Sequence, residues 1–205
     1  RRILTIEINS ATDNPLVFSN NGKAEVISGG NFHGQILALT SDNMAVCIHE
    51  IASISERRIN QVLDPQWSNQ KAFLANNEGL DSGLMIVQYV AAAVIAELSL
   101  LANPVTTTNI PVSMGKEDHV SMGATGAYRT FKASKLLSNV ISSELICSTQ
   151  ALENIPEKAS DSVMLIYSWV RKYVSKLVED RSTSSDTNII SDKILSSEFT
   201  DIFRK

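Results

Sequence analysis

Two short segments of the chain combine groups that could do chemistry with glycines that free the backbone. They read Ser28-Gly29-Gly30-Asn31-Phe32-His33-Gly34 and Met114-Gly115-Lys116-Glu117-Asp118-His119-Val120-Ser121-Met122-Gly123. The first sets an aromatic ring between an amide and an imidazole, and the second crowds together a cation, two carboxylates and an imidazole. Each also fits a structural role, as a turn closed by a hydrophobic staple or as an acid-capped helix start. Because both stand at predicted starts of long helices, they predict a site at one end of a bundle.

Long helices are predicted to position these segments. Residues 1–30 are dense in turn signals and are expected to form a loop region with short extended pieces. From about residue 31, apolar residues recur at three- and four-residue steps until Asp64-Pro65, which predicts a helix of roughly thirty residues. Another long helix is predicted to begin near Glu117, where early acids suit the positive end of the helix dipole, and to end near Pro156.

The stretch at residues 83–102 is apolar on all sides, with Glu97 as its only charge. About twenty residues would be long enough to span a membrane. Gln88, Glu97 and Ser99, and the lack of flanking basic anchors or aromatic belts, favour instead a helix buried at the centre of a large bundle. One chain of this size supplies too few partner helices, so the stretch predicts oligomerisation.

The remaining residues, 157–205, are expected to form C-terminal helices. One carries its apolar face at residues 163–177, and a short last helix follows a polar break at residues 182–187. Long core helices at residues 31–156 and the lack of any sustained strand alternation predict an all-α fold. We expect a single helical domain fragment within an elongated bundle of long helices.

Composition and charge argue against several functional classes. Eighteen Lys and Arg against 22 Asp and Glu leave a net charge of −4, which does not favour nucleic acid or an anionic membrane as a partner. The histidines lack zinc-like spacing, so no metal is expected, and the sequence contains no phosphate-binding loop, dinucleotide fingerprint or nucleophile elbow. Cys47 and Cys147 cannot build a disulfide framework, which predicts a reducing compartment, the cytoplasm.

Several runs of residues resemble one enzyme family in order and spacing. They are EINSATDNPLVF at 7–18, SGGNFHG at 28–34, SERR at 55–58, NEGLDSGLMI at 77–86 and EDHVSMG at 117–123. Through roughly Gln150 the sequence resembles the C-terminal part of the histidine ammonia-lyases, within the aromatic amino acid ammonia-lyase family. The last residues resemble the C-terminal helices of the family in pattern more than in identity.

The resemblance implies an ammonia-lyase/fumarase-like fold and a homotetramer that eliminates ammonia from L-histidine to give urocanate. The electrophile of the family is a methylidene-imidazolone ring formed autocatalytically from an Ala-Ser-Gly tripeptide, and this tripeptide is absent from the sequence. The chain alone is therefore expected to be inactive. It would complete a site whose reactive half lies in the N-terminal part of the same enzyme, and no diffusible cofactor is expected.

The same resemblance implies roles for particular residues. Phe32 matches the aromatic residue beside the electrophile, where a ring excludes water, and Glu117 matches a carboxylate near the imidazole of the substrate; both are expected to be catalytic. Asn31, His33 and Met85 are expected to bind substrate. Asn31 would donate a hydrogen bond, His33 would contact substrate or only hold the turn, and Met85 would line the pocket or pack in the core. A carboxylate at Glu117 would accept the imidazole N–H and favour the charged ring.

Substrate identity depends on the acidic stretch. Relatives that act on phenylalanine or tyrosine carry an amide-bearing Asn-Gln there, so Glu117-Asp118 favours histidine. Lys116 stands where histidine ammonia-lyases usually carry Gln. The charged run at residues 55–58 is expected to form ion pairs between subunits or a solvated helix face. Two alternatives stay open: an ammonia-lyase or aminomutase for another aromatic amino acid, and a non-catalytic helical assembly subunit.

Overall fold

The computed structural model describes residues 1–157 and 159–204. The chain is mostly helical, as predicted, and it divides into two compact units. The first unit comprises Arg1–Cys47 and Leu101–Lys132, and the second comprises Ile48–Leu100 and the described chain from Ala133 onwards. Both segments with candidate chemistry belong to the first unit.

Helix α1 spans Arg2–Ile8 at the start of the first unit. It ends where the side-chain amide of Asn9 donates back to the carbonyl of Thr5 at 2.7 Å. The expectation that residues 1–30 form only loop and extended pieces is wrong here. A seven-residue helix is too short to show a repeated apolar spacing, so periodicity alone does not reveal it.

A two-stranded antiparallel hairpin follows α1. Strand β1 spans Leu16–Asn20 and strand β2 spans Lys23–Ile27, with Leu16 opposite Ile27. The linking pair Asn21-Gly22 has φ angles of 51° and 76°, the left-handed conformations that a two-residue hairpin turn requires. The short extended pieces predicted in this region are therefore confirmed.

Helix α2 spans Gln35–Leu63, 29 residues in length, and confirms the long helix predicted before Asp64-Pro65. The carboxylate of Asp64 then accepts the N–H of Gln66 at 2.8 Å and caps the short helix α3, Pro65–Ser68, in which proline occupies the first position. A 3-10 turn at Ala72–Leu74 comes next. The apolar repeat and its proline stop thus fix both the length and the end of α2.

Helices α4 (Met85–Leu101) and α5 (Gly123–Leu152) are the other long helices. In this single chain α4 exposes several large apolar side chains, namely Ile86, Tyr89, Val90 and Leu100. Exposed apolar surface of this kind is typical of an interface with another chain, in keeping with the predicted oligomerisation. Among the described residues, no helix combines the length and the hydropathy needed to cross a bilayer.

The charged run in the middle of α2 is partly buried in the second unit. The hydroxyl of Ser55 donates to the carboxylate of Glu144 on α5 at 2.6 Å, and Arg58 lies 3.4 Å from the same carboxylate. Glu56 is also buried and pairs with Arg57. A fully solvated face is therefore wrong for Ser55 and Glu56, whose polar groups are satisfied within the chain, while pairing between subunits stays a prediction.

Helices α6 (Asp161–Arg171), α7 (Ser184–Leu195) and α8 (Glu198–Asp201) complete the second unit. Helix α7 begins inside the polar break expected at residues 182–187. The prediction of a single last helix is wrong, because Ser197 adopts a left-handed φ of 68° that an α-helix does not accommodate.

The apolar face predicted at residues 163–177 extends beyond the helix that carries its first part. Helix α6 ends at Arg171, yet Val174 and Leu177 are buried, and Val174 belongs to an apolar cluster with Trp169. The prediction of one helix over this whole face is therefore wrong. The apolar spacing indicates burial, which the chain achieves here partly without helical structure.

Candidate functional site

The aromatic turn, residues 31–34, leads from the hairpin into α2. Asn31–His33 form one turn of 3-10 helix, and Gly34 closes it with a φ of 67°, a left-handed conformation that favours glycine. The Phe32 ring is 41% exposed and Asn31 is exposed, whereas His33 is half-buried. The turn therefore exposes a ring and an amide at the surface and holds the imidazole closer to the protein.

Asn31 and Phe32 line a groove of about 500 Å³ in the first unit. Leu4 and Ile8 of α1 contribute apolar walls to it. The carboxylate of Glu7, on the same helix, accepts a hydrogen bond from the Asn31 amide at 3.3 Å. Apolar walls with a small number of polar groups are the usual lining of a small-molecule site.

The acidic segment, residues 112–120, is an extended loop closed on itself. Val112 and Glu117 form an antiparallel bridge, in which the Val112 N–H donates to the Glu117 carbonyl at 2.9 Å and the Glu117 N–H returns the bond at 3.3 Å. The 3-10 turn between them, Ser113–Gly115, has left-handed φ angles of 54°, 57° and 80°. This narrow turn fixes the backbone of Glu117.

The prediction that a long helix begins near Glu117 is wrong. Helix α5 begins at Gly123 and has no acid in its first turn. Met122, just before it, has a left-handed φ of 57°, and the Glu117 N–H is already engaged by Val112. Because the field of a helix dipole falls off within about one turn, the helix end does not position Glu117, whose backbone is fixed by the bridge instead.

Asn109 holds the other end of the acidic segment. Its side-chain N–H donates to the carbonyl of Asp118 at 3.2 Å, and its side-chain oxygen accepts the N–H of Val120 at 3.1 Å. Asn109 was not predicted from the sequence, because an asparagine in a polar connection indicates only a turn. Its two bonds fix the backbone on both sides of His119.

The aromatic turn and the acidic segment meet at a pair of imidazoles. The ring centroids of His33 and His119 lie 5.6 Å apart with an interplanar angle of 85°, an edge-to-face arrangement. His33 also lies against Phe32 at 4.2 Å between centroids, and His119 Nε2 lies 2.6 Å from Oε1 of Gln35. Thus Phe32 and His33 are joined by direct contact to the segment that carries Glu117. No sequence signal marked Gln35.

The Glu117 side chain is half-buried and keeps its acceptor capacity. Among residues 1–157 and 159–204 no hydrogen bond or ion pair engages its carboxylate, and the exposed neighbour Lys116 does not pair with it. A carboxylate offers about four acceptor positions. Glu117 can therefore receive N–H groups of a ligand without first breaking a contact within the described chain.

Asp42, on α2, supports the connection that precedes the acidic segment. Its carboxylate accepts the N–H of Thr106 at 2.9 Å and the hydroxyl of Thr106 at 2.7 Å. Burial by itself raises the pKa of Asp42, but these hydrogen bonds and the charge of Arg129 bring it below its ordinary value. Asp42 was not predicted from the sequence, because an acid within a long helix usually indicates a solvated face.

Met85 lies in the second unit, as the first residue of α4. It is half-buried and lines a groove of about 410 Å³ together with Glu56, Phe73, Gln88 and Tyr89. This lining suits a pocket wall as well as a packing role, so the part of Met85 in substrate binding stays a prediction.

The sequence model of the aromatic amino acid lyase family matches residues 1–172. The chain belongs to the aromatic amino acid lyase family. It is similar to the histidine ammonia-lyase of Myxococcus xanthus, with 42% identity over 97% of this chain and 39% of that protein. The histidine ammonia-lyase of Deinococcus radiodurans is 44% identical over 96% of this chain and 37% of its own length. The chain thus spans about two fifths of these curated lyases.

Solved structures of the family share the fold of this chain. Histidine ammonia-lyase from Trypanosoma cruzi superposes with a TM-score of 0.92 at 36% identity, over 98% of this chain and 40% of that chain. Tyrosine aminomutase from Streptomyces globisporus superposes with a TM-score of 0.93 at 31% identity, over 99% of this chain and 39% of that chain. The predicted helical lyase fold is confirmed. Since a lyase and an aminomutase fit equally well, the fold does not decide the reaction.

The aromatic turn leaves open space beside it for the electrophile that the family resemblance implies. The sequence contains no Ala-Ser-Gly tripeptide, so a methylidene-imidazolone would be contributed by other residues. Space for a neighbouring group exists beside the aromatic turn, because a Cβ added at Gly29 or Gly30 meets no atom within 4 Å and the Phe32 ring is exposed. Among the described residues, no group of three or more His, Cys, Asp or Glu side chains could hold a metal ion.

Proposed function

We propose that this chain is the C-terminal part of a histidine ammonia-lyase, which eliminates ammonia from L-histidine to give urocanate. The observation that carries the proposal is the similarity of almost the whole chain to curated histidine ammonia-lyases, at 42% and 44% identity over 97% and 96% of its residues. Since the chain spans about two fifths of those enzymes, activity is expected only when the missing part is present.

Glu117 is proposed to recognise the side chain of the substrate. Its carboxylate has open acceptor positions and lies on a backbone fixed by the Val112 bridge and by Asn109. Accepting an imidazole N–H would orient the substrate and favour the charged form of a ring whose ordinary pKa is about 6.5. Phenylalanine has no side-chain hydrogen-bond donor, so a carboxylate here favours histidine over phenylalanine. Tyrosine can donate only from its neutral hydroxyl, whereas a charged imidazole N–H forms the stronger, charge-assisted bond.

Phe32 and Asn31 are proposed to build the wall nearest the reacting carbon. The exposed ring of Phe32 would exclude water and shape the pocket, while the Asn31 amide could donate a hydrogen bond to the substrate. His33 is proposed to bind substrate or to hold this turn, and Met85 to line the pocket. The chain thereby orients the substrate and keeps the site dry, which strengthens every electrostatic contact within it.

The reaction removes a weakly acidic proton from carbon, so it needs an electron sink and a positioned base. A methylidene-imidazolone supplied by the N-terminal part of the enzyme would provide the electron sink. Phe32, on its open turn, would pack beside that group and exclude water from it. Glu117 would hold the imidazole of the substrate so that the reacting carbon lies beside Phe32 and the electron sink.

The complete enzyme is proposed to be a homotetramer in the cytoplasm. The exposed apolar side chains Ile86, Tyr89, Val90 and Leu100 of α4 support assembly, since they would be covered by helices of other subunits. Both cysteines are free thiols, which agrees with a reducing compartment.

The test is to express the full-length protein that contains this chain and to supply L-histidine, L-phenylalanine and L-tyrosine separately. Urocanate, cinnamate and coumarate are followed by ultraviolet absorbance, and β-amino acids are sought by chromatography. We expect urocanate from histidine and no product from the other substrates. Product from phenylalanine or tyrosine alone would favour the other lyases or the aminomutases, and no product from any would favour a non-catalytic assembly subunit.

A further inference from the structure

Four side chains in continuous contact link the acidic segment to the aromatic turn and to Gln35, the first residue of α2. Phe32 lies against His33, His33 packs edge-to-face with His119, and His119 reaches Gln35. Because a glutamine carbonyl oxygen can only accept, the 2.6 Å contact at Oε1 of Gln35 makes Nε2 of His119 the donor. The ring of His119 is therefore held both by a hydrogen bond and by packing.

This contact matters because the acidic segment has little helical support of its own. It consists of the bridge between Val112 and Glu117 and a left-handed turn, and Asn109, its clamp, lies in the same connection between helices. The hydrogen bond of His119 ties the segment to a residue of the long helix α2. Because only Asp118 separates His119 from Glu117, a displacement of His119 would also move Glu117.

We propose that His119 is a positioning residue that sets the place of the Glu117 carboxylate relative to Phe32. Gln35 is its anchor and His33 is its packing partner. The proposal rests on the proposed function, since it assigns His119 a part in the same site. His119 acts through Glu117 and does not itself touch the substrate. A misplacement of about 1 Å at a substrate-holding group can cost about 100-fold in rate, so this anchor should be visible in turnover.

Two variants in the full-length enzyme separate the hydrogen bond from the packing. His119→Phe keeps a ring for His33 and removes the Nε2–H donor. His119→Gln places an amide N–H near the position of Nε2 and should restore the bond to Gln35. We expect kcat/KM for L-histidine to fall about 30-fold in His119→Phe. In His119→Gln it should stay within about threefold of the unmutated enzyme, because the donor is retained.

Two further variants test whether the effect passes through Gln35 and Glu117. Gln35→Leu removes the acceptor and should reproduce the loss of His119→Phe. In a Glu117→Gln background, His119→Phe should cause no further loss, because residues that act as one unit are not additive. His49→Phe, a histidine elsewhere on α2, is the matched control and should change kcat/KM by less than about twofold.

The outcomes separate this inference from the proposed function. Suppose that the unmutated enzyme yields urocanate. The positioning role is then wrong if His119→Phe leaves kcat/KM unchanged. It is also wrong if His119→Phe lowers kcat/KM by the same factor in the Glu117→Gln background as in the unmutated enzyme. In both cases the lyase assignment stands. If the unmutated enzyme yields no urocanate, the proposed function is wrong and the positioning role falls with it. Should His119→Phe fail to assemble, Gln35→Leu decides alone, and full activity in it overturns the inference.

Discussion

Two glutamates show how differently the two units use a carboxylate. In the second unit, Glu153 accepts hydrogen bonds from the Tyr167 hydroxyl at 2.7 Å and from Arg171 at 2.9 Å, with Lys176 at 3.6 Å. Burial by itself raises the pKa of Glu153, but these hydrogen bonds and positive charges bring it below its ordinary value. Glu117, in the first unit, has no comparable partner among the described residues.

The difference separates Glu153, a structural acid, from Glu117, a binding acid. We call Glu153 a structural acid, because its carboxylate is engaged by groups of the protein and leaving those partners unpaired is costly. A half-buried carboxylate with open acceptors contributes little to folding and is available to a ligand. Substitution of Glu117 should therefore change turnover without changing stability, and substitution of Glu153 should do the reverse.

The largest expected effect is on the binding acid. Glu117→Gln in the full-length enzyme should lower kcat/KM for L-histidine by about 100-fold, because a hydrogen bond to a charged group contributes up to about 3 kcal/mol. The free energy of unfolding should change by less than about 0.5 kcal/mol, as for a surface substitution. Urocanate formation and urea unfolding followed by circular dichroism measure the two quantities.

Asp118→Asn is the control for Glu117→Gln, since Asp118 is the exposed acid next to it. It removes the same charge and should leave turnover within about twofold. Equal losses of kcat/KM in the two variants would mean that turnover depends on the net charge of the segment and not on Glu117 itself. Unchanged kcat/KM in Glu117→Gln would show that Glu117 does not bind the substrate.

The next largest effect is on the structural acid. Glu153→Gln keeps an oxygen for the Tyr167 hydroxyl but removes the anionic partner of the half-buried Arg171, which keeps only neutral acceptors. We expect a loss of about 2 kcal/mol in the free energy of unfolding, with kcat/KM unchanged. The exposed acid Glu157 supplies the control, because Glu157→Gln should be neutral. Equal urea midpoints for the two variants would show that the contacts of the Glu153 carboxylate do not stabilise this region.

A smaller effect is expected at Asp42, which is a structural acid within the first unit. Asp42→Asn should cost about 1 kcal/mol near neutral pH, because two hydrogen bonds from Thr106 lose their charged acceptor. Since the pKa of Asp42 is lowered on folding, its contribution is complete above the ordinary value of 3.8. It is lost as the pH falls below that value through the lowered pKa of the folded state.

The measurement for Asp42 is the difference in free energy of unfolding between the unmutated protein and Asp42→Asn, taken near neutral pH and in acid. The difference should shrink as the carboxyl group becomes protonated. A difference that stays constant across this range would show that the charge of Asp42 does not contribute to its hydrogen bonds with Thr106, and Asp42 would then not count as a structural acid.

Much of the fold follows from local sequence patterns. The apolar repeat before Asp64-Pro65 predicted α2, because one face of a helix of 29 residues is sampled many times. The same pattern failed at residues 172–177, where Val174 and Leu177 are buried outside a helix. Periodicity reports which side chains are buried, and only over long segments does it also fix the backbone.

Residue types and motifs were enough to identify the family, the long helices and the two segments that carry Phe32 and Glu117. They were enough because residue types and their local spacing are written along the chain. The packing of the folded chain revealed two further features: Glu117 lies in a bridged loop outside α5, and His119 bonds to Gln35, 84 positions away. Such contacts form between segments that are far apart in the sequence, and a local pattern of residues does not indicate which distant segments will pack together.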